Sequence, residues 1–333
     1  MRHCFFAIIL IFVCPQLKAQ DIHFTQWWNA PLTVNPGLNG HQQGHLQINA
    51  GMRSQWRGVS GVPYQTQWLQ GQIKQWTKSK WTWGGGLGRD MAGDGNWRQL
   101  QGMINGARHW QLDSTQTTFS LGGQIQMQQW SWDANQWQWG SQWNGVYYDP
   151  SLPSQEYQLQ QKTGAFSFNS GAVWSQGWGK QWVSLLGFSV YHGVSSAYDM
   201  NGTLQKIPSR KGMSLQLKYR LNDQWNFQLF SLKQRQSMQN EWMNLVYAER
   251  VLDQREWNFL SYRLGGGFRN HDAAMLFVGG RMGQHQMGLS YDWNLSSFSQ
   301  ATEYRGGWEL HYSWLLNPLP MPKRVSAPCP DYY

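Results

Sequence analysis

The nine histidines of this chain are its best candidates for metal ligands, so their spacing is the first test of chemistry. A zinc-binding helix carries two histidines four residues apart with a glutamate after the first. His41 and His45 have this separation, but no glutamate lies between them and a segment rich in proline and glycine leads to them. Such a segment favours a turn over a helix. The other histidines are scattered, and we predict no zinc site.

Three oxygen-bearing side chains lie close together among glycines at Asp90, Asp94 and Asn96. Calcium prefers such ligands, but the spacing is not that of a calcium loop and no glutamate follows to bind the ion through both of its oxygens. A tight hairpin between two strands explains these residues better. We therefore predict no metal and no cofactor.

Two glycine runs and one Ser/His pair complete the candidates for chemistry. The runs at 84–88 and 265–267 could suggest phosphate loops, but neither is followed by the helix whose N-terminus binds phosphate. His311 and Ser313 are two residues apart and share one face of a strand. Such a pair is common by chance, and a hydrolase also needs an oriented third partner. We predict no catalytic residues and no enzymatic activity.

The chain begins with a pattern typical of a secretory signal peptide, which we assign to residues 1–19. Arg2 provides a basic start, Phe5 to Val13 form an apolar core, and Leu17 to Ala19 offer a cleavage site before Gln20. The core is much shorter than the about 20 apolar residues of a membrane-spanning helix. Of the three cysteines, this cleavage leaves only Cys329, so no internal disulfide is expected.

The charge and the aromatic content together favour an exported membrane protein. The formal charge of +9 falls to +7 without Arg2 and Lys18, and the basic residues form no single run, which argues against nucleic-acid binding and predicts mild attraction to acidic lipopolysaccharide. The chain has 23 tryptophans, yet its mean hydropathy is −0.60. A membrane β-barrel reconciles the two values, because its strands alternate between lipid and a polar lumen and carry aromatic girdles.

Alternation with a period of two residues is the dominant pattern in the chain. From Thr117 to Met127, and again over 287–295 and 306–315, apolar residues alternate with polar ones, as expected of strands with two unlike faces. Similar runs predict about 14 strands, an even number that places both chain ends on the periplasmic side. The predicted strands are 44–53, 64–74, 81–90, 98–110, 116–128, 163–175, 181–192, 212–220, 224–234, 239–250, 259–268, 272–281, 284–295 and 306–315. Residues typical of turns lie between them at Asp94-Gly95-Asn96, Asn201-Gly202, Leu221-Asn222-Asp223 and Asn270-His271-Asp272.

This pattern predicts an all-β protein: a transmembrane, antiparallel, up-and-down barrel over residues 44–316. Residues 20–43 form a periplasmic N-terminal segment in this scheme. Residues 317–333 form a periplasmic tail, whose five prolines cannot join a sheet. Residues 130–160 interrupt the alternation and predict a long loop. A soluble β-sandwich also alternates, but here it would expose tryptophan and leucine to water on many strands at once.

The residues over 20–37, which end in Asn35-Pro36-Gly37, form the first of several sequence blocks with a recognisable pattern. These blocks resemble one known family, the PorP/SprF proteins of the type IX secretion system of Bacteroidetes-like bacteria, and the first block resembles the mature N-terminus of that family. Departures include Ile22 in place of a common proline and Gly37 in place of a common alanine. Further blocks follow in the same order at 53–56, 63–66, 90–95, 149–154, 289–294, 306–310 and 327–330.

The resemblance implies a non-enzymatic outer-membrane barrel that works in secretion and gliding. Its partners would be periplasmic ring lipoproteins of the machinery or surface adhesins, together with outer-membrane lipid. The partner-binding residues that we predict are Trp27, Trp28, Asn35, Pro36, Lys323, Arg324 and Cys329.

Alternatives remain open at the level of sequence. Trp27 and Trp28 fit a partner anchor, a plug packed into the lumen or an interfacial girdle. Cys329 fits a partner contact, an intermolecular disulfide or a free thiol. A general diffusion porin is the main rival function, because inner faces rich in glutamine, serine and asparagine suit either a pore or a scaffold. An enzyme and a secreted carbohydrate-binding protein rank below it.

Overall fold

The structure of the protein is a computed structural model that describes most of the chain after residue 20. The described residues are 21–42, 44–55, 62–74, 80–92, 97–112, 116–133, 137–154, 162–199, 203–253, 259–297, 299–300 and 302–316. The predicted signal peptide, the tail over 317–333 and the turns at Asp94-Gly95-Asn96 and Asn201-Gly202 lie outside them.

Fourteen antiparallel strands close into one barrel, and a two-stranded hairpin is attached to it. The barrel strands are β1 (Leu46–Gln55), β2 (Tyr64–Lys74), β3 (Trp81–Ala92), β4 (Trp97–Gln111), β5 (Thr117–Ser131), β6 (Lys162–Trp178), β7 (Trp182–Ser195), β10 (Arg210–Arg220), β11 (Trp225–Gln236), β12 (Gln239–Asp253), β13 (Leu260–Arg269), β14 (Ala273–Met282), β15 (His285–Asn294) and β16 (Arg305–Leu316). The hairpin is β8 (Ala197–Asp199) and β9 (Leu204–Lys206). The predicted all-β class and the predicted number of barrel strands are confirmed, whereas the hairpin was not predicted.

Each barrel strand pairs with the next along the chain, and β1 closes the ring by pairing with β16 from Leu46 opposite Leu316 to Gln55 opposite Gly307. This is the up-and-down order predicted from the alternation. The 3-10 turns at Trp27–Asn29, Pro31–Thr33, Pro36–Leu38 and Gly140–Gln142 are short. No helix in the described part of the chain is long and apolar enough to cross a membrane.

The alternation in β5 separates an apolar outer face from a polar inner face. Leu121, Ile125 and Met127 are 50%, 52% and 46% exposed, whereas Gln124 and Gln126 between them are buried. A water-soluble sheet buries its apolar face. This barrel does the opposite, which is the arrangement required when the outer face contacts lipid.

The two openings of the barrel differ in the length of their loops. We call the opening where β1 begins and β16 ends the proximal opening, and the other the distal opening. Proximal connections are short, such as 179–181 and 283–284, whereas the distal connections include 132–161, 196–209 and 295–304. The first of these covers the long loop that the sequence predicted over 130–160, except for residues 130 and 131, which belong to β5. Membrane barrels have short periplasmic turns and long extracellular loops, so this asymmetry agrees with a periplasmic proximal opening.

Candidate functional site

The segment before β1 occupies the lumen of the barrel. We call its described residues, 21–42, the plug. Pro31 and Pro36 each begin a 3-10 turn, because proline fixes φ and has no N–H to give to a sheet. The plug therefore cannot extend β1 as another strand, and it folds compactly inside the ring. Its side chains and backbone meet inward-facing residues all around the circumference.

Two tryptophans attach the plug to one side of the inner wall. The Trp28 ring stacks on Phe230 with a centroid distance of 4.2 Å, and it meets Phe277 edge-on at 5.5 Å. Trp27 also meets Phe230 edge-on at 5.8 Å and is buried. Aromatic pairs at these distances add about 0.5–1.5 kcal/mol each beyond the burial of their area. This cluster fixes the plug to β11 and β14.

The inner wall under these rings is apolar, unlike the glutamine-, serine- and asparagine-rich inner faces that the sequence predicted. Phe230, Leu245 and Phe277 point inward and are almost fully buried. They would be out of place in a water-filled lumen. Their burial is explained by the plug, which covers them with Trp27 and Trp28.

A network of buried charges attaches the plug to β1, β13, β15 and β16, which are next to the strands of the aromatic cluster, and we call it the lumenal charge network. Arg53 on β1 is 2.9 Å from Asp292 on β15 and 3.3 Å from Glu309 on β16. Arg269 on β13 also reaches Asp292, at 3.2 Å. All four side chains are buried. Buried ions of this kind persist only when they are paired and hydrogen-bonded.

The plug completes this network through two consecutive residues. The backbone N–H groups of Thr25 and Gln26 donate to the two carboxylate oxygens of Glu309 at 2.8 and 3.0 Å. The Thr25 hydroxyl donates to Asp292 at 2.8 Å and accepts from Arg53 at 2.8 Å. The plug therefore supplies a hydrogen-bond partner to each of the four charged residues of this network.

Close contact with the wall at the middle of the plug depends on glycine. The amide of Asn35 donates to the backbone oxygens of Ala172 and Phe188, both at 3.1 Å. A Cβ atom on Gly122 would come within 3.0 Å of the Pro36 carbonyl, and one on Gly171 would collide with the Asn35 side chain. These glycines leave the space into which Asn35-Pro36 fits.

The beginning of the plug lies near the distal opening. Asp21 is 2.9 Å from the His192 ring and 3.4 Å from Arg210, and its backbone N–H donates to Gln236 at 2.9 Å. Burial alone would raise the pKa of Asp21, but the charge of Arg210 and the hydrogen bond with His192 outweigh it and hold that pKa well below its usual range. Asp21 is therefore a buried carboxylate with its charge compensated.

The end of the plug lies near the proximal opening. The amide of Asn39 donates to Asn105, and the His41 ring is 2.9 Å from the Ser120 hydroxyl. Burial, with smaller contributions from His109 and Lys74, lowers the pKa of His41 from 6.5 to about 3. The plug thus runs through the lumen from the distal to the proximal end before β1 begins.

The structure brings four of the predicted partner-binding residues into this plug. Trp27 and Asn35 are buried, Pro36 contacts the glycine surface, and Trp28 is half-buried in the aromatic cluster. Among the alternatives left open for Trp27 and Trp28, the contacts that they make are those of a plug packed into the lumen. The segment that we predicted to be periplasmic, 20–43, lies within the ring of strands wherever it is described. The reason is that its apolar and hydrogen-bonding groups are complementary to the inner wall.

The other three predicted residues, Lys323, Arg324 and Cys329, lie outside the described residues. The sequence also did not single out Arg53, Arg269, Asp292 and Glu309. The sequence carries a signal for these four residues, because the alternation places each of these charged side chains on the inward-facing side of its strand.

The Ser/His pair singled out in the sequence does meet in the lumen. Ser313 Oγ lies 3.0 Å from His311 Nε2, and its hydroxyl donates to Asn49. Both residues are buried, and His311 is stacked against Trp68. In the described part of the chain no group of three histidine, cysteine or acidic residues could hold a metal ion.

Comparisons with known proteins give a family and a fold. A family model described as the type IX secretion system membrane protein PorP/SprF matches residues 16–312. No curated protein matches the chain. Among solved structures, a TodX deltaS2S3 mutant monoaromatic hydrocarbon channel is similar at 10% identity and a TM-score of 0.50, over 86% of this chain and 94% of that one. The KdgM porin is similar at 5% identity and a TM-score of 0.40, over 81% and 99%. The TodX likeness supports the outer-membrane barrel fold and nothing finer.

Proposed function

Because the chain belongs to the PorP/SprF family of type IX secretion system membrane proteins, we propose that it is a non-enzymatic scaffold of that machinery in the outer membrane. In this role it binds periplasmic ring lipoproteins, or it assists the export and surface attachment of adhesins used in gliding. The family and the barrel fold establish the membrane component, and the binding role is our proposal.

The observation that favours a scaffold over a diffusion porin is the filled lumen. A porin needs a continuous aqueous channel through its barrel. Here the plug is attached to the wall by aromatic packing, by the lumenal charge network and by the Asn35 hydrogen bonds. The Asn35 hydrogen bonds are made to β6 and β7, across the ring from β15, β16 and β1, so no single rotation of a side chain opens a path. A stably obstructed barrel suits a protein whose task is to hold partners.

We assign the direct partner contacts to those predicted residues that do not pack against the inner wall of the barrel. Trp27, Asn35 and Pro36 are already occupied by the inner wall, so they support binding only by keeping the plug in place. Lys323, Arg324 and Cys329 come after the last strand in the sequence and, in this proposal, make the direct contacts with periplasmic partners.

The test is affinity purification of the tagged, full-length protein from detergent-solubilised outer membranes, with mass spectrometry of the proteins that co-purify. We expect type IX ring lipoproteins or a large gliding adhesin. A Lys323→Gln/Arg324→Gln variant should lose this recovery. A Lys233→Gln/Arg235→Gln variant removes the same charge from the outer face of β11 at its distal end, and it should retain the partners.

Two results would contradict the proposal. Recovery of a barrel without partners that shows steady ion conductance in planar bilayers would favour the diffusion porin. Equal recovery from both charge variants would leave the machinery role intact but remove the tail as its contact.

A further inference from the structure

A groove on the outer wall of the barrel has a composition that changes in steps from apolar to basic. Its volume is about 630 Å³, and it crosses β2 to β5. Its floor is one row of paired residues, in which Leu69 lies opposite Leu87, Leu87 opposite Gly102, and Gly102 opposite Met127. The three large side chains in this row are between 46% and 66% exposed. Gly102 makes the depression, because it has no side chain between two large neighbours.

The next row towards the distal opening is mostly polar. Gln67 lies opposite Arg89, Arg89 opposite Leu100, and Leu100 opposite Gln129. All four also line the groove. Arg89 is exposed and faces the same side as Leu87, two residues before it.

The row beyond carries two basic residues, Arg98 and Lys162, together with Met91 and Ser131. Arg98 lies two residues from Leu100 on the same face of β4, so their Cα atoms are about 7 Å apart along the strand. Across the sheet Arg98 lies opposite Ser131, and Ser131 lies opposite Lys162. Neither Arg89 nor Arg98 forms an ion pair with a carboxylate among the described residues. Three cations therefore border the distal end of an apolar groove.

The level of this rim identifies the leaflet. The rim lies towards the distal opening, where the long connections are, and long loops mark the extracellular side of outer-membrane barrels. A lipid in this groove would have its acyl chain against Leu69, Leu87 and Met127 and its headgroup at the outer surface. In the outer membrane of a Gram-negative bacterium, that leaflet carries lipopolysaccharide.

From this order of an apolar floor and a basic rim we infer that the groove is a binding site for lipopolysaccharide, with one acyl chain on the Gly102 floor and a lipid A phosphate on Arg89 and Arg98. Guanidinium groups bind phosphate through paired hydrogen bonds, and the geometry of a fork on a phosphate adds specificity to the charge attraction. The site goes beyond the proposed scaffold role and does not depend on it. The site makes one wall of the barrel a binding surface for a defined lipid.

The test is native mass spectrometry of the delipidated, full-length protein in detergent, titrated with diphosphoryl lipid A, phosphatidylglycerol or phosphatidylethanolamine. We expect lipid A to bind most tightly. The Arg89→Gln/Arg98→Gln variant should bind it about 30-fold more weakly, because each basic residue at a lipid surface contributes about fivefold. The Gly102→Phe variant should lose the adduct because it fills the groove. A Cβ at Gly102 meets only Leu87, at 3.6 Å, so this variant should still fold.

The control is the Lys233→Gln/Arg235→Gln variant, which removes the same charge at the distal end of β11, away from the groove. It should bind lipid A as the unaltered protein does. Equal binding by all variants would overturn the site. Phosphatidylglycerol or phosphatidylethanolamine binding as tightly as lipid A would overturn the assignment to lipopolysaccharide. Resistance of each variant to unfolding in cold detergent, read as the mobility shift on heating, confirms that the barrels compared are folded.

Discussion

Two adjacent glycines on β5 offer a direct test of the plug, because they face opposite sides of the wall. Gly122 faces the lumen, where an added methyl group would come within 3.0 Å of the Pro36 backbone. Gly123 faces outward, and an added methyl group there meets nothing within 4 Å. Substituting either by alanine changes the strand's intrinsic preference equally. Any difference between the two variants therefore reports the contact with the plug.

The size of the effect follows from overpacking. Forcing a methyl group into a filled space costs about 1–3 kcal/mol, and the colliding atoms are backbone, which cannot rotate away as a side chain does. Taking about 2 kcal/mol, Gly122→Ala should raise the population of the undocked plug about 30-fold. Gly123→Ala should leave it unchanged.

Hydrogen exchange measured by mass spectrometry on the protein in detergent reads this population directly, because amides that open locally exchange in proportion to the open fraction. The plug peptides covering 21–42 should exchange about 30-fold faster in Gly122→Ala, while peptides from β10 to β16 keep their protection. Equal exchange of the plug in the two variants would refute the close approach of Asn35-Pro36 to the wall, and with it the role of the glycines.

Three further predictions concern the same assembly. Arg53→Ala should destabilise the barrel by about 3–5 kcal/mol, since it leaves the buried carboxylate of Glu309 without its cation and Asp292 with Arg269 alone, and thermal unfolding should show no such loss for Arg89→Ala on the outer face. Burial lowers the pKa of His23 to about 4 and that of His41 to about 3. The undocked plug therefore takes up protons below about pH 6.5 that the docked plug does not bind. Plug exchange, corrected for the intrinsic slowing of amide exchange at lower pH, should accelerate as the pH falls from 6.5 to 4, by up to about tenfold per histidine and pH unit. A His23→Gln/His41→Gln variant should lose that dependence. Deleting residues 22–41 should convert the barrel into a conducting pore, and an equally silent bilayer would show that the lumen is obstructed by something other than the plug.

The barrel was predictable because its main signal is local. Each strand alternates between lipid and lumen, so Leu121, Ile125 and Met127 stand out at every second position without knowledge of their neighbours in space. The predicted strand over 64–74 has the bounds of β2, Tyr64–Lys74. The turns predicted at Leu221-Asn222-Asp223 and at Asn270-His271-Asp272 also lie between strands.

The sequence by itself therefore determined the class of fold, the order of the strands and, by resemblance, the family. Only the tertiary structure decided what fills the ring. Arg53 and Glu309 lie at opposite ends of the chain, and they meet because β1 closes on β16. Phe230 and Phe277 became a receptor for Trp28 only because closure turns the inner faces of distant strands towards one another. Alternation predicts that a residue faces inward, but it does not predict which residue the side chain contacts across the lumen. The plug is held in place by contacts of this second kind.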